Sequence, residues 1–150
     1  MRDFIGPFFN SGEVNQMEAG VVIAAAGSGR RMGAAGNKVL LPLWGKPIIL
    51  HSLKLFLALA EVREIVVVTR QTDLDTIQRL ASALKGDKPI RIVPGGAERQ
   101  DSVYLGLKAL SPQTKWVIIH DGARPYLSEK VVRSALEACY QKKAVGVAVP

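Results

Sequence analysis

The sequence has a single cysteine, Cys139, so no internal disulfide can form and a cystine-stapled secreted scaffold is excluded. That scarcity fits a reducing compartment, and a cytoplasmic location is expected. Histidine is almost as rare, and His51 has no second histidine or cysteine at metal-binding spacing, so it is read as an ordinary helix residue. No uninterrupted apolar run approaches the ~20 residues of a membrane-spanning helix. The start of the chain does not resemble a signal peptide, because Arg2-Asp3 precede too short an apolar stretch. Aromatic residues make up only 6% and are nowhere interleaved with a basic run. A face for binding nucleic acid would show such a pattern, so the net charge of +7 points instead to a solvated surface or a small anionic ligand.

What is present is ordinary for one globular domain: 48% hydrophobic and 22% charged residues in a chain of 150. Residues 1–18 hold Phe4, Phe8 and Phe9 among turn formers with no sustained period, and are read as a mobile extension. From Gly20 the run Val21 to Ala26 is continuous and β-branched at its start, as in a parallel strand covered on both faces. Further strands are expected at Glu64–Thr69, Ile90–Val93, Trp116–Ile119 and from Val145 onward. Between them lie helical periods. Ile49, Leu50, Leu53, Phe56 and Leu57 follow Pro47, and a helix over about 73–84 can be capped by Thr72. The next places Val103, Leu107 and Leu110 on one face, and Ser128 caps the last, with its Val131 to Cys139 stripe. This alternation predicts an α/β fold: a doubly wound, mostly parallel Rossmann-like sheet with helices on both faces.

In such sheets ligands bind outside the carboxyl ends of the strands. Three strand ends here carry unusual loops. The first runs from Ala24 through Gly27-Ser28-Gly29-Arg30-Arg31 to Lys38, where glycines let backbone N–H groups approach phosphate oxygens and three cations supply charge. It lacks the third glycine of a dinucleotide fingerprint, since Met32 stands there, and it lacks the Gly-Lys-Ser/Thr of a Walker loop. The second, Pro94 to Ser102, is either a plain glycine turn or a close approach to a base or sugar, with Arg99 and Asp101 able to pair with each other or to cap the helix. In the third, Asp121 offers a hard oxygen at the sheet edge, suited to Mg2+ beside phosphates, and Pro125 holds Arg124 extended for a bidentate grip on a phosphate. A local salt bridge between Asp121 and Arg124 is the alternative. His120 faces the other way by strand alternation and is read as structural.

Together these loops resemble the 2-C-methyl-D-erythritol 4-phosphate cytidylyltransferase family: Ala-Ala-Gly-x-Gly-x-Arg-Met with a following lysine, Gly-Gly-x-x-Arg-x-Asp-Ser-Val, and His-Asp-x-Ala-Arg-Pro. The likeness covers about residues 19–150. It implies that Ala25, Ala26, Gly27, Gly29, Arg30, Arg31 and Lys38 cradle CTP, with Arg31 and Lys38 as the catalytic pair. Gly96 and Ser102 would contact the cytosine and ribose, Asp121 would hold Mg2+, and Arg124 would face the methylerythritol phosphate. The resemblance further implies transfer of CMP to that substrate and a homodimer.

The chain departs from the family pattern in two places. Asn37-Lys38-Val39 replaces the usual Pro-Lys-Gln, and Gly122 replaces the usual alanine. Family members also run past residue 150, so the domain over 19–150 is expected to lack a C-terminal part that carries further substrate contacts and the dimer arm. A nucleotide-binding module without turnover therefore stays open as an alternative, as does another sugar-phosphate nucleotidyltransferase.

Overall fold

The β-branched run after Gly20 does form a strand, β1 (Ala19–Ala25), and every residue in it except Ala24 is buried. The computed structural model describes residues 18–27 and 36–148. The extension read at 1–18 lies outside the described residues except for Glu18, which pairs with Arg63. A two-residue hairpin follows, with strands β2 (Pro42–Leu43) and β3 (Lys46–Pro47). Its turn residues Trp44 and Gly45 have φ of 49° and 72°. Both values lie in the left-handed region that a tight two-residue hairpin requires, at a steric cost for tryptophan.

The main sheet is completed by β4 (Val62–Thr69), β5 (Ile90–Pro94) and β6 (Trp116–Asp121), in the order β5-β4-β1-β6. All three pairings are parallel, as expected. Among the described residues, α1 (Ile48–Ala58), α2 (Leu74–Ser82) and α3 (Arg99–Ala109) lie in the connections, and α4 (Glu129–Lys142) follows β6. Alternation along β1 sends Val21 and Ile23 to one face and Val22 to the other. The first face packs against Ile49, Leu53 and Phe56 of α1, Ile77 and Ala81 of α2, and Val132 and Leu136 of α4. The second carries a smaller cluster of Val22, Val66 and Val68 under Ala109 and Leu110. Helices thus cover both faces.

Three local expectations differ from what forms. The face of α3 toward the sheet is built on Ser102 and Gly106, while Leu107 is exposed. Close approach explains this, since a Cβ at Gly106 would lie 2.5 Å from Val22 Cγ1. Thr72 does not cap α2; it sits in a 3-10 turn, Gln71–Asp73, and its hydroxyl is turned toward Asp73 Oδ1 at 3.4 Å. Residues 144–148 form no strand and are exposed. A strand is defined by its ladder, and this stretch has no neighbour to pair with among the described residues.

Polar ties lock the connection between α3 and β6 onto β4. The buried Glu64 carboxylate accepts the Ser111 N–H at 2.9 Å, the Thr114 hydroxyl at 2.6 Å and an Arg91 N–H at 2.9 Å. Such a charge is tolerable in a sheet only because its lone pairs are met.

Candidate functional site

β1 lies between β4 and β6, and the chain winds outward through β4 and β5 before returning across β1 to β6. The strand order therefore reverses between β1 and β6, and the crevice outside their carboxyl ends is where a sheet of this kind receives a ligand. Ala24 is opposite Asp121 in the ladder, and the Gly122 N–H donates to the Ala24 carbonyl at 2.9 Å. The start of the glycine loop and the third loop are thus neighbours. Ala25, Ala26 and Gly27 lead out of β1 at this point. Among the described residues, a Cβ on Gly27 would meet nothing within 4 Å. Gly29, Arg30 and Arg31 fall outside the described residues.

The second loop reaches the same crevice through Arg99. Its guanidinium donates to Asp121 Oδ1 through two N–H groups, at 3.2 and 2.8 Å. Arg124 approaches the other carboxylate oxygen, with Nε 3.3 Å from Asp121 Oδ2. The third loop therefore does contain the local salt bridge between Asp121 and Arg124, joined by a second arginine from α3. Both guanidinium groups stay largely exposed, at 64% and 79%. Sequence reasoning left Arg99 undecided between pairing with Asp101 and capping. Asp101 does the capping instead, accepting the Glu98 N–H at 3.0 Å. The Glu98-x-x-Asp101 spacing is the signal that could have separated the two roles.

Gly95 and Gly96 are both required by packing. A Cβ at Gly95 would come within 2.6 Å of the Ala26 Cβ, and one at Gly96 within 2.4 Å of the Asp101 Cβ. Ser102 is buried and closes this turn: its hydroxyl accepts the Gly96 N–H at 3.2 Å and donates to the Glu98 carbonyl at 3.1 Å. One hydroxyl lone pair remains for anything else.

Lys38 begins a 3-10 turn, Lys38–Leu40, just after Asn37. Among the described residues its ammonium has no carboxylate partner. Asn37 itself is buried and donates to the Ala25 carbonyl at 2.8 Å and to Asp73 Oδ2 at 2.9 Å. Arg70 donates to the same Asp73 oxygen at 2.7 Å. Burial pushes the Asp73 carboxyl up, but the hydrogen bonds from Arg70 and Asn37 and the charge of Arg70 outweigh it and hold it below its ordinary value.

His120 is buried, shares a 2.9 Å hydrogen bond with Ser52 Oγ and lies edge-on to Phe56, so it is part of the core under the site. Burial lowers its pKa; Asp121 opposes that shift and Arg124 reinforces it. An unfolded chain therefore binds a proton at this position more readily than the folded one. The stability held at neutral pH is lost as pH falls below the ordinary histidine value of about 6.5. Asp73 adds a second loss, below about 3.9, as its depressed carboxylate is finally protonated. A melting curve taken across this range should show the first step, and His120→Asn should flatten it.

The structure thus brings Ala25, Ala26, Gly27, Gly96, Ser102, Asp121 and Arg124 to one strand edge, with Lys38 following the asparagine that is bonded to β1. Among the described residues no group of three or more His, Cys, Asp or Glu side chains is placed to hold a metal by itself. No helix among them is long and apolar enough to cross a membrane.

Comparison with known proteins gives a consistent result. The 2-C-methyl-D-erythritol 4-phosphate cytidylyltransferase from Halalkalibacterium halodurans is 44% identical over 134 residues, covering 89% of this chain and 58% of that protein. The enzyme of the same name from Caldanaerobacter subterraneus subsp. tengcongensis is 39% identical, covering 89% of this chain and 60% of its own length. A solved 4-diphosphocytidyl-2C-methyl-D-erythritol synthase from Anaerococcus prevotii superposes with a TM-score of 0.72 at 31% identity, covering 83% of this chain and 52% of that one. The chain therefore spans somewhat more than half the length of these relatives. The model of the family described as IspD, 2-C-methyl-D-erythritol 4-phosphate cytidylyltransferase, matches residues 19–150. That span runs through all three strand-end loops, and the chain belongs to this family.

Proposed function

We propose that this chain supplies the nucleotide-binding part of a cytidylyltransferase that moves CMP from CTP to 2-C-methyl-D-erythritol 4-phosphate and releases pyrophosphate. The observation that carries the reading is the Asp121 carboxylate, opposite Ala24 across the β1–β6 crevice and held by Arg99 and Arg124. Asp121 is paired with the cradle strand through the backbone ladder, and its carboxylate ties the second loop to the third. In the reaction a phosphate oxygen of the acceptor attacks the α-phosphorus of CTP. A new P–O bond forms, the bond to the bridging oxygen breaks, and pyrophosphate leaves with the electron pair. The nucleophile is already an anion, so the protein's task is positioning and charge neutralisation rather than proton removal.

In this reading Ala25, Ala26, Gly27, Gly29 and Arg30 cradle the triphosphate, and Arg31 and Lys38 neutralise charge as it moves onto the leaving group. Gly96 and Ser102 shape the wall beside the base and ribose, and Arg124 faces the acceptor's phosphate. Asp121 fits a magnesium ion in one respect: Mg2+ is commonly bound through one or two carboxylates plus substrate phosphates rather than an all-protein cage. The ion would supply charge neutralisation on the phosphates, and Arg99 and Arg124 would have to share or yield the carboxylate.

The test is pyrophosphate release from CTP, the methylerythritol phosphate and Mg2+, with calorimetry of CTP against ATP, GTP and UTP. Release that depends on both substrates, with CTP bound most tightly, is the expected result. Binding without preference among nucleotides would overturn the cytidylyl assignment, and CTP binding without release would overturn transfer by this chain.

A further inference from the structure

Asn37 has no part in the proposed chemistry, yet it is one of few buried polar side chains and uses most of its hydrogen-bonding capacity. Its amide group donates to the Ala25 carbonyl and to Asp73 Oδ2, and its Oδ1 accepts the Val39 N–H at 3.3 Å. Ala25 ends β1, Asp73 precedes α2, and Val39 belongs to the turn that Lys38 opens. The bond to Ala25 spans a sequence separation of 12, so one side chain closes the neck of the glycine loop. Only a carboxamide of this length meets the demand. An aspartate has no N–H to donate and would set a second negative charge beside Asp73; an alanine would leave the Ala25 carbonyl without its donor.

We infer that Asn37 is a positioning residue for Lys38: by pinning the loop neck to β1 and to Asp73, it holds the Lys38 backbone where the ammonium meets the nucleotide's phosphates. The inference rests on the reading that Lys38 binds those phosphates. Asp73 and Arg70 form its support, since Arg70 fixes the carboxylate that receives the Asn37 amide. This accounts for the departure from the family's proline at position 37. A proline there would set the backbone by its ring, whereas here a side chain performs the same restriction through hydrogen bonds.

A double-mutant cycle on CTP affinity separates positioning from simple stabilisation. Calorimetry with CTP and Mg2+ is run on the unaltered chain, Asn37→Ala, Lys38→Ala and the double variant, with melting curves alongside. Asn37→Ala is expected to weaken CTP by about tenfold through the lost neck bonds. The double variant should bind no more weakly than Lys38→Ala alone, because the asparagine acts through the lysine. Losses that multiply, or an Asn37→Ala variant with unaltered affinity, overturn the inference. Should that variant fail to fold, Asp73→Asn serves in its place. It keeps an acceptor oxygen but weakens the charge-assisted bond, with an expected loss of about threefold that vanishes in the Lys38→Ala background. Failure of the unaltered chain to bind CTP overturns the nucleotide reading and the inference with it; tight binding with independent losses overturns the inference alone.

Discussion

Lys38→Ala is expected to lower pyrophosphate release from CTP and the methylerythritol phosphate by about 100-fold or more, the usual loss when a preorganised charge is removed from a developing anion. Stability should hardly move. Lys38 is only partly buried, has no carboxylate partner among the described residues, and contributes to its turn through its backbone carbonyl, which accepts the Leu41 N–H at 3.1 Å. Truncation leaves no buried group orphaned, so the melting temperature should match that of the unaltered chain. Lys38→Arg should restore turnover only in part, because a planar fork does not replace a compact ammonium at a fixed point. A Lys38→Ala protein that turns over normally would remove the lysine from the mechanism.

Asp121→Ala is the second variant with a large expected effect. The carboxylate joins the end of β6 to α3, through Arg99, and to its own loop, through Arg124. Removing it releases two exposed guanidinium groups into the crevice and deletes the carboxylate of the residue paired with Ala24 of β1. Turnover should fall by about 100-fold, as for other lost charge stabilisers. Stability should change by less than about 1 kcal/mol, because ion pairs of such exposed arginines are largely screened by water. Asp121→Asn keeps the volume and one acceptor oxygen, so it distinguishes a need for charge from a need for shape. If Asp121→Asn and Asp121→Ala are equally impaired, charge is what matters. Full activity in Asp121→Asn would instead leave the residue with an orienting role and count against a metal there.

The strands that proved easiest to read, β1 and β4, are built on continuous apolar runs buried on both faces, 19–25 and 65–68, where composition alone dictates the outcome. The β2–β3 hairpin was missed. Its turn uses Trp44 before Gly45, and a tryptophan with positive φ is not a recognisable turn former. The face of α3 was misjudged because apolar periodicity favours Leu107, whereas the gap to Val22 and Val68 admits only Gly106. The same division runs through the site. Convergence of the three loops was legible, since parallel strands all present their carboxyl ends at one edge. The partners of Asp121 were only half legible: Arg124 is three positions away, but Arg99 lies 22 positions back on another element. Asn37 was visible only as an irregular flank of Lys38, because its three partners come together only when β1, the 3-10 turn and Asp73 are folded against one another.

The Trp44 hairpin carries a consequence of another kind. The indole is 72% exposed and lies edge-on to Tyr126, with ring centroids 5.7 Å apart, and to His51 at 5.8 Å. Tyr126 follows Arg124 by two positions, so the ring against Trp44 belongs to the same loop that grips Asp121. The chain has two tryptophans, and the other, Trp116, is half-buried at the start of β6, at the opposite end of that strand from Asp121. The third loop therefore comes with its own fluorophore. A ligand that draws Arg124 away from Asp121 and shifts Tyr126 with it is expected to alter the surroundings of the Trp44 indole, so that its emission would report the movement without a label.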